Sequence, residues 1–269
     1  KYMFMEVKRT VRFLLQYFSA NLQSAMEYRG AFISQIIFMF LNNLMLLFFW
    51  WVLFTKIDSL NGWSFQQILL LYALAAGAYA FQALFFAGSF SLSSTIAEGR
   101  LDFYLTMPRP VLFHVLVSRS SAAAWGDLAF ALTIFIMAAS PSPSMMLGFL
   151  ALCLAGGFVS TSFSVLAHSL SFCLGNSVGL ASQLTEALLS FSLYPEGIFS
   201  AVTRLVLYTL IPAGFVSYLP VRILSEFTLA HAALMAFFAL SISLLARFVF
   251  YRGLQRYESG NLVVINAAD

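Results

Sequence analysis

From Ala31 to Phe54 the chain reads AFISQIIFMFLNNLMLLFFWWVLF, a stretch without one charged side chain. As a helix rising about 1.5 Å per residue it is longer than the roughly 30 Å hydrocarbon core of a bilayer. Such a run is a membrane span before it is anything else. Five more apolar runs follow, at 65–94, 121–139, 145–170, 178–193 and 227–250. The third and fourth are separated by SPSPS, whose prolines stop helices and permit a tight reversal. The fifth is short and carries Glu186. Hydrophobic residues make up 61% of the 269 and charged residues only 9%, against about 25% in a soluble domain. The expected fold is an all-α polytopic membrane protein, one transmembrane domain over 1–269 with six transmembrane helices.

Charge orients the spans. The net charge of +3 does not form a soluble basic face that would suit nucleic acid; the basic residues flank the apolar runs. With six spans, Lys1, Lys8, Arg9, Arg12, Arg29, Arg100, Arg109, Arg119, Arg247, Arg252 and Arg256 share one side, while the other keeps Lys56, Arg204 and Arg222. By the positive-inside rule both termini are expected in the cytoplasm, for a multi-pass protein of the inner (plasma) membrane. The segment 196–226 is apolar but broken by Pro212 and Pro220. As a seventh span it would send Arg252 and Arg256 outside, so it reads as external, short helices dipping into the outer leaflet and returning. Residues 1–30 mix Met5, Phe13, Leu14, Tyr17 and Phe18 with Lys8, Arg9, Arg12 and Gln16, the pattern of a helix lying along the cytoplasmic interface. They are charged and lead directly into a span too long for a signal h-region, so no cleavable leader is expected. Residues 251–269 form a cytoplasmic tail.

No enzyme motif is present: no G-x-x-x-x-G-K-[ST] loop, no H-E-x-x-H, no paired CxxC and no G-x-S-x-G. His114, His168 and His231 are far apart, without partners at metal-ligand spacing. Cys153 and Cys173, on one continuous helix, would lie about 30 Å apart, beyond disulfide reach. Ionisable groups within spans are costly and need a partner or an aqueous cavity. Asp127, His168 and Glu186 all fall in the inner half of the bilayer, where they would face one inward-open cavity; the simpler reading is that Asp127 and Glu186 bond polar groups on neighbouring helices. Asn42, Asn43 and Gln35 on the first span, with Tyr79 and Gln82 on the second, are path-lining candidates or interhelical hydrogen-bonding groups. Phe81, Phe85 and Phe86 form a stripe suited to packing.

Between the second and third spans EGRLDFYLTMPRP, Glu98 to Pro110, concentrates charge and proline. Leu101, Tyr104 and Leu105 fall at i, i+3 and i+4, one apolar face of a short helix ended by Pro108 and Pro110, with Arg100 and Asp102 polar. This surface helix, the interfacial N-terminal helix, LYPEGIF after the fifth span, LIPAGFVSYLP before the last and RYESGN in the tail together resemble the permease subunits of type-two ABC exporters. The similarity is closest to the drug- and viologen-export branch and covers nearly the whole chain. It is carried by the order of Gly99, Leu101, Asp102, Pro108, Tyr194, Pro195, Ile211, Pro212, Phe215 and Pro220.

The resemblance implies a permease that pairs with a second permease, identical or related, and with two separate ATPase subunits. ATP and Mg would sit on that partner, with no cofactor and no catalytic or metal site in this chain. It also implies that region 96–110, through Glu98, Gly99, Arg100, Leu101, Asp102, Tyr104, Leu105 and Pro108, couples to the ATPase. Tyr194, Pro195, Pro212, Phe215 and Pro220 would belong to a lid over the exit. The expected substrates are amphiphilic or cationic small molecules exported by alternating access, with Glu186 attracting cations through charge and neighbouring aromatics. Alternatives are an exporter of a lipid or glycan, an ion channel, or an intramembrane lipid enzyme built on Asp127, His168 and Glu186. Membrane lipids are the surrounding partner.

Overall fold

The structure, a computed structural model, describes residues 2–175 and 177–258, with residues 2–8 described by their backbone alone. Most of the tail, including Ser259, Gly260 and Asn261 of RYESGN, lies outside the described residues. The rest is an all-α membrane protein. Helix α1 (Tyr2–Met26) precedes α2 (Arg29–Phe54), α3 (Phe65–Phe85), α7 (Ala124–Ala139), α8 (Pro143–His168), α10 (Val178–Ser192) and α13 (Leu229–Leu254). Between them lie short α4 (Leu92–Ala97), α5 (Leu101–Leu105), α6 (Val111–Val117), α9 (Ser171–Leu174), α11 (Ala201–Thr209) and α12 (Leu219–Ser225). Helices α2, α3, α8 and α13 are long and apolar enough to cross a bilayer. With 16 and 15 residues, α7 and α10 are about 24 and 22 Å long and fall short of a full crossing by themselves.

Helix starts follow local chemistry. Ser64 and Gln67 form a capping box at α3, Ser142 caps α8 with Pro143 in its first turn, and Thr228 caps α13. The run at 65–94 is not one helix. It breaks after Phe85, and residues Ala87–Ser91 form a tight 3-10 turn before α4. There Gly88 lies so close to the Val115 carbonyl of α6 that no Cβ fits between them.

The core centres on α3, whose small residues let α7 and α8 approach: Gly77 meets Cys153 and Ala131, and Gly156 of α8 meets Ala78. Residues 193–228 leave α10 and enter α13 at one end of the bundle. Asn61 Nδ2 of the α2–α3 loop donates to Gly197 O there at 2.9 Å. The C-terminal part of α13 lies at the other end, with Phe250 packed on Phe172 of α9. Within that segment α11 and the helix Gly214–Ser225, which opens as a π-turn and continues as α12, are bent by 82°. Phe215 stacks on Phe238 of α13, so this bent pair, hereafter the hairpin, packs against the N-terminal half of α13.

Candidate functional site

A cavity of about 350 Å³ opens between α3, α8 and α10. It gathers Tyr79 and Gln82 from α3, Phe90 from the turn that follows, His168 from the end of α8 and Glu186 from α10, with hydroxyls from Ser160, Ser182, Thr185 and Ser192. Gln82 Nε2 donates to Ser89 Oγ at 3.0 Å and to Ser164 Oγ at 2.8 Å, which ties the break after α3 to α8. The Ser93 backbone N–H donates to His168 Nδ1 at 3.3 Å, and the Ser93 hydroxyl lies 2.7 Å from the same atom. Nδ1 is thus the acceptor and Nε2 carries the proton in the neutral ring. Among the lining residues Glu186 is the only carboxylate. It is exposed, so the cavity is open on that side. Tyr79 and Phe90 form the aromatic wall, their rings tilted by 35° with centroids 5.6 Å apart.

Four of the eight path candidates from the sequence therefore meet in one place and four do not. Asn42 and Gln35 lie on the exposed face of α2. Asn43 is buried, and its Nδ2 donates to Asp127 Oδ1 at 2.7 Å. Asp127 is buried in the first turn of α7, where the helix N-terminus favours a carboxylate. It joins α7 to α2 and does not line the cavity. The enzyme alternative needed Asp127, His168 and Glu186 in one site, and Asp127 does not line the cavity that holds the other two. Phe81, Phe85 and Phe86 pack on one another and on Phe158.

At the opposite end from the α2–α3 loop, α4 ends in a Schellman motif: Arg100 N–H bonds Thr95 O at 3.0 Å and Gly99 N–H bonds Ile96 O at 3.2 Å. Gly99 adopts φ +72°, a left-handed conformation that explains a glycine here. Helix α5 is only one turn long, so it cannot present the i, i+3, i+4 face as a unit. Leu101 is fully buried and Tyr104 half-buried, whereas Leu105 is exposed beside Phe103. Arg100 pairs with Glu98 at 2.8 Å on the surface, and Asp102 and Pro108 are exposed. Helix α1 packs against this end by its half-buried stripe. Phe13 stacks on His114 of α6, Phe18 on Phe85, and Asn21 Nδ2 donates to Val117 O. Burial, reinforced by Arg109, pushes His114 below the usual histidine value.

Around the hairpin, Pro195, Pro212, Phe215 and Pro220 are buried, while Tyr194 is exposed with its ring edge-on to Trp50. Sequence reasoning missed the clasp that closes this segment: buried Glu196 takes a hydrogen bond from Tyr208 Oη at 2.9 Å and pairs with Arg222. The available signal was one acid and one arginine bracketing an apolar segment that no lipid-facing surface would retain. Among the described residues no three His, Cys, Asp or Glu side chains lie close enough to share a metal ion.

Residues 40–260 match the family described as ABC-2 family transporter protein. No curated protein and no solved structure gives a significant match.

Proposed function

The chain belongs to the ABC-2 family of transporter proteins and is a permease subunit of an ABC transporter; from that premise we propose that it exports amphiphilic or cationic small molecules from the cytoplasm. It does so paired with a second permease and driven by two separate ATPase subunits. The observation that supports the substrate class is the cavity between α3, α8 and α10, with one carboxylate, two aromatic rings and a set of hydroxyls. A carboxylate beside π faces attracts a cation by charge and by cation–π contact. The exposure of Glu186 on the open side leaves room for the second permease to complete the wall.

In this reading the cytoplasmic end is the one that carries α1 and α5. Exposed Phe103 and Leu105, flanked by Glu98, Arg100 and Asp102, form the contact for the ATPase, and buried Leu101 carries its motion into α4 and α6. The hairpin clasped by Glu196 and Arg222 is the external lid. The multidrug branch, the inner-membrane location and both cytoplasmic termini belong to the same proposal.

The test is ATPase stimulation of the complex reconstituted in liposomes. Cationic amphiphiles are expected to stimulate it, and Glu186→Gln is expected to weaken their apparent affinity about tenfold, ~1.4 kcal/mol, while sparing neutral amphiphiles. Equal loss for both classes overturns the role of Glu186. Stimulation by a lipid or glycan alone overturns the substrate class and supports the alternative exporter.

A further inference from the structure

A second concavity runs along the opposite flank of α8, where α13 packs against it. Its deep stretch, about 530 Å³, is bounded by α8, α10, α13 and the turn Thr209–Pro212 at the tip of the hairpin. Only two lining residues, Thr209 and Ser241, are polar. A separate hollow of about 380 Å³ lies further along α13, between Ser169 and Cys173 on one side and Phe248, Val249, Arg252 and Arg256 on the other. The two hollows lie in succession along one stripe of α13. Ser241, Leu245, Phe248, Arg252 and Arg256 recur at spacings of three or four, so they stack along one face of the helix and its last turn. From Ser241 to Arg256 this stripe climbs about 22 Å, the distance from the middle of a bilayer to its headgroup layer. Leu245 and Phe248 are more than half exposed.

We propose that this α8–α13 groove binds an anionic phospholipid, with an acyl chain in the deep apolar stretch and the phosphate on Arg252 and Arg256. Charge complementarity carries the assignment. Among the described residues neither arginine is ion-paired, and no acid lines either stretch. Arg252 instead lies over the Phe248 ring at 5.3 Å. A basic site between helices at one membrane face selects an anionic headgroup, and an apolar cavity at mid-membrane selects a chain over water. Because the chain end touches Leu210, Ile211 and Pro212, the lipid braces the hairpin tip from beneath. The site is separate from the Glu186 cavity and does not depend on what the transporter exports.

Native mass spectrometry of the purified transporter complex, exchanged into detergent with phosphatidylglycerol, phosphatidylcholine or inorganic phosphate, tests this. Phosphatidylglycerol is expected to be retained in preference to phosphatidylcholine of the same chains. The double variant R252Q/R256Q is expected to lower its affinity about 30-fold, roughly fivefold per arginine near an anionic surface. Leu245→Trp, at an exposed position, fills the groove and is expected to expel the lipid while leaving the arginines in place. Equal retention of both lipids overturns the proposal. So does undiminished retention in both variants, or complete displacement by inorganic phosphate, which identifies a free-anion site. A change of permease stoichiometry in Leu245→Trp overturns it in favour of a second copy seated on this face.

Discussion

Helices α2 and α3 are equally apolar and sit in opposite surroundings. Their best windows have mean hydropathy 2.1 and 1.9, yet 17% of the first is buried and 78% of the second. Size separates them. Helix α3 carries Ala73, Ala75, Ala76, Gly77, Ala78, Ala80 and Ala83, whereas α2 presents Phe38, Met45, Phe48, Phe49 and Trp51 to its surroundings. In a membrane, burial against protein yields little hydrophobic gain because the lipid is as apolar as leucine. Close backbone approach therefore decides which helix lies inside, and only small residues permit it.

The sharpest way to break this contrast is to enlarge α3. Gly77→Leu drives a branched side chain into Cys153 and Ala131 and is expected to cost about 3 kcal/mol, read as a loss of monodisperse protein and a lowered thermal transition in detergent; tolerance would show that α3 is not the packing centre. Next comes the amide–carboxylate bond that ties α2 to α7. It is one of two polar ties of α2 to the buried helices, beside Trp50 Nε1 donating to Tyr72 Oη of α3 at 2.7 Å. Asp127→Leu strands Asn43 and is expected to cost about 1.5 kcal/mol, with much of the loss recovered in the double variant Asn43→Leu/Asp127→Leu. Recovery in a double-mutant cycle separates a structural bond from a substrate-path role, which would lower transport in both.

Gly99→Ala forces a left-handed alanine into the Schellman turn at about 1 kcal/mol. Its expected signature is reduced stimulation of the ATPase with unchanged stability of the α3 core; an unchanged stimulation would remove this turn from the coupling path. At the same end, pH acts on the docking of α1. The folded value of His114 lies below its ordinary 6.5, so the unfolded or undocked ring binds the proton more readily. The stabilisation is complete above pH 6.5 and declines as pH falls from there toward the lowered folded value. Faster hydrogen exchange in α1 at acid pH is expected, and His114→Phe should abolish the dependence. Smallest of all, Phe38→Ala on the bare face of α2 is expected to change the stability of the single chain by less than about 0.5 kcal/mol. A large change there would mean that α2 is packed in the isolated permease after all.

The apolar runs were readable because a helix in lipid must satisfy its own backbone, and a span therefore announces itself by length. The break at Pro212 and the amphipathic α1 were readable for the same local reason. The split of 65–94 after Phe85 was not, because the chain turns there to let Gly88 meet the Val115 carbonyl, a residue distant in sequence. Nor was the exposure of Leu105: i, i+4 spacing assigns a common face only if the helix lasts longer than the single turn of α5. Buried Glu196 and exposed Arg222 are 26 positions apart and are joined only by the folding back of the segment between them.

Of the six expected spans, four are long enough to cross a bilayer by themselves. The amino-acid order by itself determined a polytopic helical membrane protein and the glycine at the turn before α5. These follow from transfer energies and backbone geometry that act within a few residues. Only the tertiary structure decided that Tyr79, Gln82, His168 and Glu186 share a cavity while Asn43 and Asp127 bond each other elsewhere. Every polar group inside an apolar span is equally in need of a partner, and which partner it meets depends on how closely and at what rotation the helices pack.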